Sequence, residues 1–182
     1  MQGLADQFPQ YLEYDPRLGM LRFKSDVLFD SGSDAIRAEA RPALSALAQV
    51  LNNPAAAPYE VIVLGHTDSQ RISANTARRF PTNVHLSAGR SISVRAALVD
   101  LGVTPGKMQV AGWGEFRPRV ENNPGTGNTP ENRRVEFYLT RPRNTDAVIP
   151  AGGGVNDARP AGNFEAQPDR SAPPTRGPDI TK

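Results

Sequence analysis

The feature that most constrains this fold is an apolar strand pattern at residues 59–64, followed after a polar loop by a helical pattern at residues 83–102. Residues 59–64 are apolar on both faces apart from Glu60, which predicts a central strand covered on both sides. The helical segment carries one stripe at steps of four, four, three and four, formed by Leu86, Arg90, Val94, Ala97 and Leu101. This order predicts a strand whose exit loop lies near the first turns of an amphipathic helix.

The other patterns extend this unit into a sandwich. Residues 11–23 read as a hairpin around a turn at residues 15–19, and residues 27–29 as a short buried strand. The apolar residues in the segment 36–51 have helical spacing. Pro42 is expected either to kink this helix or to mark the start of a shorter one. Residues 108–111 and 135–140 predict two more strands. We therefore expect an α/β (α+β) two-layer sandwich, with helices packed on one face of a mixed sheet.

The pattern divides the chain into three regions. Residues 1–24 are an N-terminal hairpin and linker, and residues 25–142 form the folded domain. Residues 143–182 are rich in proline and glycine and have a single aromatic residue, Phe164. Such a segment cannot bury enough apolar surface to offset its ordering entropy, so we predict a disordered tail.

Composition excludes several classes of function. The chain has no cysteine, which removes disulfides, thiol catalysis and a lipid-anchored cysteine. No apolar run could span a bilayer, and the first twenty residues lack the form of a signal peptide. We expect membrane attachment only through segments not present in this chain. The glycines at 65, 112 and 114 form no phosphate-binding loop, and no cofactor is expected.

Arg90 is the residue that departs most from the helical pattern, because it occupies an apolar stripe where its charge needs a partner. The nearest candidate is Asp68, which follows the strand at residues 59–64. Deleting one member of a buried ion pair costs on the order of 3 to 5 kcal/mol. Pattern alone gives equal weight to a structural tie between loop and helix and to a site for a zwitterionic ligand.

Five blocks carry a resemblance to a known family: VLFDSGSDAI, GHTD, FPTN followed by LSAGRSISVRAAL, VAGWGEFRP, and NTPENRRVEFYL. In this order, across about residues 25–142, they resemble the peptidoglycan-associating domain shared by OmpA, Pal and MotB proteins. The longer loop after GHTD and the FPTN wording are most similar to the flagellar stator protein MotB. The resemblance implies a βαβαβ core in a domain of the Gram-negative cell envelope.

The resemblance also implies a function: noncovalent binding, without turnover, of the diaminopimelate or equivalent diamino acid of the cell-wall peptide stem. Such binding would anchor an envelope protein to peptidoglycan in the periplasm, and homodimer formation is a further family-level expectation. Asp68 would accept from the ligand's ammonium group, and Arg90 would make a two-pronged contact with its carboxylate. The matching positions that we expect in the site are Thr67, Asp68, Asn83, Leu86, Ser87, Arg90, Arg133 and Arg134.

Other functions have weaker support in the sequence. A dimerisation or protein-protein module could use the same fold without binding the cell wall, and a cell-wall peptide hydrolase would need a nucleophile or metal set that the sequence does not offer. His66 and His85 fit no metal-ligand spacing. Nucleic-acid binding would rest on arginines alone, without the interleaved aromatic residues that single-strand binders use, and we expect no nucleic-acid partner.

Overall fold

A computed structural model describes residues 1–141 of the chain. Its strands are β1 (Leu12–Asp15), β2 (Met20–Lys24), β3 (Glu60–His66), β4 (Met108–Gly114) and β5 (Arg134–Thr140). Its α-helices are α1 (Gln2–Gln7), α2 (Ser25–Leu28), α3 (Arg41–Asn52), α4 (Ala74–Ala77) and α5 (Asn83–Asp100). The predicted tail at residues 143–182 lies outside the described residues, as does residue 142.

The five strands form one mixed sheet in the order β1-β2-β5-β3-β4. β3 and β4 are parallel, whereas β5 runs antiparallel to both β2 and β3. Alternate strand residues, among them Phe23, Val63 and Phe137, face α3 and α5 in one apolar core. The predicted two-layer α+β sandwich with a mixed sheet is therefore confirmed.

β3 is a central strand, as predicted, because it pairs with β5 on one side and β4 on the other. The prediction that both of its faces are covered is wrong. Val61 and Val63 are buried against the helices, whereas Ile62 and Leu64 are only half-buried on the opposite face. Because residues 61–64 are all apolar, the sequence does not show that buried and half-buried side chains alternate along β3.

The predicted strand at residues 27–29 is also wrong. Ser25 to Leu28 form the single turn α2, and Phe29 makes only an isolated bridge with Ile36. Leu28 and Phe29 are both buried, so a run of three apolar residues could not distinguish a helical turn from a strand. Asp26 lies in the first turn of α2, where a negative charge is favourable.

Pro42 lies in the first turn of α3, not inside it. A short 3₁₀ turn at Ala38–Ala40 precedes the helix, and proline is tolerated where a backbone N–H would have no partner within the helix. The reading of Pro42 as the start of a shorter helix is confirmed, and the alternative of a kinked helix is wrong.

The N-terminal hairpin is part of the main sheet. β1 pairs with β2, and β2 pairs along its full length with β5. α1, which the sequence reading did not predict, adds Leu4 and Ala5 to the core. Within residues 1–141, no helix combines the length and apolar character that a bilayer crossing requires.

Candidate ligand-binding cleft

A cleft of about 540 Å³ lies at the end of the sheet where β3 runs into its exit loop and α5 begins. One wall is the segment from α2 to Arg37, and the loop after β3 forms another. Most of the predicted site residues line it: Thr67, Asp68, Asn83, Leu86, Arg90 and Arg133.

Close contact between α5 and the sheet brings the walls together. A Cβ atom added to Gly65 would overlap the Ser87 carbonyl oxygen and lie 2.9 Å from Ser91 Oγ. Only glycine lets the helix backbone approach β3 this closely. The first turns of α5 are thereby held beside the residues that follow β3.

Asp68 is a buried carboxylate at the cleft floor, with 4% of its surface exposed. Its Oδ2 accepts from the backbone N–H of Thr129 at 2.9 Å and from the guanidinium of Arg133. Its Oδ1 accepts only a longer bond of 3.3 Å, from the backbone N–H of Gln70. A carboxylate oxygen has two lone pairs, so Oδ1 retains capacity toward the cleft.

Arg133 bridges two carboxylates. Its Nε donates to Asp26 Oδ1 at 2.7 Å, its second terminal nitrogen donates to Asp26 Oδ2, and its first donates to Asp68. The hydrogen bonds to Asp26 are the main reason that the pKa of Arg133 is raised, with a further contribution from Asp68. Asp26 thus holds the cation that neutralises Asp68.

Arg90 lies in the same cleft, with 3% of its surface exposed, but its partners are neutral oxygens. It donates to Ser33 O at 2.9 Å, Ser25 Oγ at 3.1 Å and Asp30 O at 3.2 Å. Its guanidinium carbon also lies 5.1 Å from the centre of the Phe29 ring. Burial lowers the pKa of Arg90 to about 10, so it is charged at neutral pH.

The predicted direct pair between Asp68 and Arg90 is therefore wrong. Both side chains line one cleft, but Arg133 occupies the position beside Asp68, while Arg90 holds the segment at residues 25–33. The sequence pattern identified two charges that need partners, yet it could not show that each finds a different one.

Three further predicted residues complete this part of the cleft. Thr67 is 3% exposed, and its Oγ1 has no hydrogen-bond partner within residues 1–141. Asn83 begins α5 and donates from Nδ2 to Gln70 O at 3.2 Å. Leu86 contributes an apolar wall. The amides in the first turn of α5 add positive polarity at this end.

Two predicted residues lie outside the cleft. Ser87 is fully buried, where its Oγ donates to Val84 O and accepts from Gly114 N, each at 2.9 Å. Arg134 is on the other face of the sheet, where its Nε donates to Glu136 Oε1 at 2.7 Å. Ser87 therefore joins α5 to β4, and Arg134 belongs to a separate polar cluster.

That cluster is centred on Glu136, a buried carboxylate on β5. Tyr138 donates to it at 2.7 Å, and His66 Nε2 lies 3.3 Å from it. Burial works to raise the pKa of Glu136, but the adjacent His66 ring and the hydrogen bonds from Tyr138 and Arg134 hold it well below its usual value. The cluster stabilises the charged carboxylate inside the fold.

The loop at residues 69–82 forms the outer wall of the cleft. A Cβ on Gly32 would overlap Thr76 Oγ1, which shows how closely α4 packs on the opposite wall. Arg79 donates to Asp34 at 2.9 Å, and Phe80 is buried. The loop between β3 and α5 is thus packed against the rest of the domain and forms part of the cleft wall.

Sequence reasoning missed several lining residues, chiefly Asp26, Arg71 and Asn128. Asp26 precedes the segment at residues 27–29 that was predicted as a strand, and it lies instead in the first turn of α2. Asn128 lies in a loop far along the chain and carries no local signal. Within residues 1–141, no three His, Cys, Asp or Glu side chains are grouped so as to hold a metal ion.

Comparison with known proteins identifies related chains. A profile described as the OmpA family matches residues 28–133. The uncharacterized protein YtxE of Bacillus subtilis is 32% identical over 134 residues, covering 73% of this chain and 52% of that protein. Outer membrane protein A of Bordetella avium is 31% identical over 129 residues, covering 70% and 61%. The chain thus spans between half and two thirds of the length of these two relatives.

Solved structures share the fold. A putative MotB-like protein from Desulfovibrio vulgaris superposes with a TM-score of 0.66 at 28% identity, covering 77% of this chain and 90% of that chain. The cell wall anchor of the T6SS from Pseudomonas aeruginosa gives 0.64 at 26%, covering 76% and 95%. The periplasmic domain of Helicobacter pylori MotB gives 0.61 at 27%, covering 75% and 84%.

Proposed function

This chain belongs to the OmpA family, and we propose that it binds the diamino acid of the cell-wall peptide stem noncovalently and so anchors an envelope protein to peptidoglycan. The ligand we infer is diaminopimelate or an equivalent diamino acid, bound without turnover by its free zwitterionic end. The compartment we propose is the periplasm. A solved relative described as a cell wall anchor and another described as a periplasmic domain support this assignment.

The observation that carries the proposal is the state of Arg90. Its guanidinium is buried in the cleft wall, yet none of its three hydrogen bonds goes to a carboxylate. Arginine has five N–H donors, so two remain for a ligand. A buried cation facing a cleft without a charged partner favours an anionic ligand, and a carboxylate suits the fork geometry of arginine.

The opposite pole of the cleft suits an ammonium group. Asp68 Oδ1 has one long hydrogen bond, and Thr67 Oγ1 lies buried and unpartnered beside it among residues 1–141. An ammonium has three donors, which these two oxygens and the nearby Asn128 side chain can accept. A ligand that carries both a carboxylate and an ammonium has a group for each pole.

Co-sedimentation with purified peptidoglycan sacculi tests the proposal. We expect the wild type to pellet with the sacculi and Asp68→Asn and Arg90→Lys to stay largely in solution. Both substitutions nearly preserve side-chain volume; the first removes a charge, and the second keeps the charge but removes the two-pronged contact. Free diaminopimelate should compete with the sacculi for the wild type.

Arg78→Gln is the matched control, because Arg78 lies in the loop that forms the outer wall but does not line the cleft. Circular dichroism on each variant checks that it is folded. If the wild type does not pellet with the sacculi, the proposed anchoring function is wrong. Folded variants at positions 68 and 90 that pellet as well as the wild type would show that the cleft is not the binding site.

A further inference from the structure

The charges that line the cleft do not balance. Three carboxylates, Asp26, Asp30 and Asp68, face four guanidinium groups, Arg37, Arg71, Arg90 and Arg133. A site for a single zwitterion requires no excess of positive charge.

Two of the arginines are matched by carboxylates. Arg133 bridges Asp26 and Asp68, and Arg37 lies 3.6 Å from Asp30. Arg90 donates only to neutral oxygens, as described above. Arg71 is exposed, and its side chain makes no hydrogen bond or ion pair with any residue in the described part of the chain. The cleft thus has two guanidinium groups that are not hydrogen-bonded to a carboxylate, one buried in its wall and one exposed at its mouth.

The backbone beside Arg71 is well fixed although its side chain is exposed. The neighbouring residue Gln70 donates from its backbone to Asp68 and accepts from Asn83 Nδ2 at 3.2 Å. A Cβ on Gly127 would lie 2.7 Å from Gln70 N, so that loop closes against the same residue. Arg71 is therefore held three positions beyond Asp68, at a set place on the rim.

We propose that Arg71 forms a second carboxylate subsite, which takes the free carboxylate of the residue joined to the diamino acid. This inference rests on the proposed function. The cleft volume of about 540 Å³ lies within the range of pockets that enclose drug-sized ligands, so one diamino acid fills only part of it. In a stem peptide, the γ-linked D-glutamate that precedes the diamino acid carries such a free carboxylate. The ligand recognised then presents two carboxylates to the cleft, one from each residue, and is a peptide and not an isolated amino acid.

Isothermal titration calorimetry with three probes tests this subsite on the full chain. The probes are free meso-diaminopimelate, the tripeptide L-Ala-γ-D-Glu-meso-diaminopimelate, and the same tripeptide with its D-glutamate α-carboxylate amidated. We expect the wild type to bind the acidic tripeptide about three- to fivefold more tightly than the amidated one, the range of an exposed ion pair. The preference should shrink as salt is raised.

Arg71→Gln should abolish the preference for the acidic tripeptide. Arg78→Gln, which removes a charge from the same loop outside the cleft, should behave as the wild type. If the wild type binds the two tripeptides equally, or if Arg71→Gln retains the preference, the subsite is refuted while the proposed function stands. If the wild type binds none of the three probes, the proposed function fails, and the subsite fails with it.

Discussion

Arg90→Lys is the substitution that most directly tests how the cleft wall is held. Arg90 spreads three hydrogen bonds over Ser33 O, Ser25 Oγ and Asp30 O, which fixes the segment between α2 and α3 against α5. Lysine keeps the positive charge but places its three donors on one atom. A single ammonium cannot reach acceptors that lie around the edge of a planar guanidinium, so we expect it to retain one of the three bonds.

The magnitude follows from the two bonds lost. A hydrogen bond to a charged group contributes about 1.5 to 3 kcal/mol to the free energy of unfolding. Asp30 is exposed and Ser33 half-buried, so their carbonyl oxygens can turn to water, and the lower end of that range applies. The expected loss is about 3 kcal/mol. For a domain of this size, that corresponds to a fall in Tm of about 10 °C.

Urea unfolding followed by circular dichroism measures this loss, with Arg95→Lys as the control. Arg95 is on the same helix and donates to Met108 O at 3.2 Å and Pro105 O at 2.9 Å, but it is half-buried. We expect its replacement to cost less, under about 1 kcal/mol, because Arg95 itself is half-buried and Pro105, one of its two acceptors, is exposed. Equal stability of the two variants, within about 0.5 kcal/mol, would refute the view that Arg90 ties the cleft wall to α5.

Two further predictions concern the stability of the fold. Gly65→Ala should lower the free energy of unfolding by about 1 to 3 kcal/mol because its Cβ meets the Ser87 carbonyl, whereas Gly106→Ala, with open space around it, should not; equal urea midpoints would contradict this. Because the folded-state pKa of Glu136 is depressed, its contribution to stability is present above the unfolded-state pKa near 4.5 and is lost as pH falls below it. Urea unfolding at pH 7, 4 and 3 should therefore show a shallower acid loss for Glu136→Gln than for the wild type, and identical losses would exclude this role.

The periodicity of apolar residues was sufficient to predict the long elements α5 and β5. The predicted stripe is buried at Leu86, Arg90 and Val94, but Leu98 continues it in place of Leu101, which is 40% exposed. The alternation of β5 buries Val135 and Phe137. Both elements are long enough for their period to be distinctive. The segment at residues 25–29 is too short for a distinctive period, and its conformation depends on tertiary contacts. The backbone N–H of Ser25 donates to Arg133 O, and Ser25 Oγ accepts a hydrogen bond from Arg90.

The cleft could be predicted only where its residues are close in sequence. Thr67, Asp68, Asn83 and Arg90 lie on one strand–loop–helix unit, and the geometry of that unit brings them together. Asp26 and Arg133 are 107 positions apart, and no local pattern states that they pair. Their pairing decides which cation neutralises Asp68, so the electrostatics of the site were beyond the reach of the sequence pattern.

The separation of the two charges has a consequence for binding. If Asp68 and Arg90 were paired directly, a zwitterionic ligand would have to break a buried ion pair before it could satisfy either pole, at a cost of several kcal/mol. In this fold, Asp68 is held by Arg133 and Arg90 by neutral oxygens, and each keeps capacity toward the cleft. A ligand can add its ammonium and carboxylate to these poles without breaking an existing ion pair. A structural tie and a binding site are therefore compatible roles for Arg90, because its three bonds to the wall use only part of its five donors.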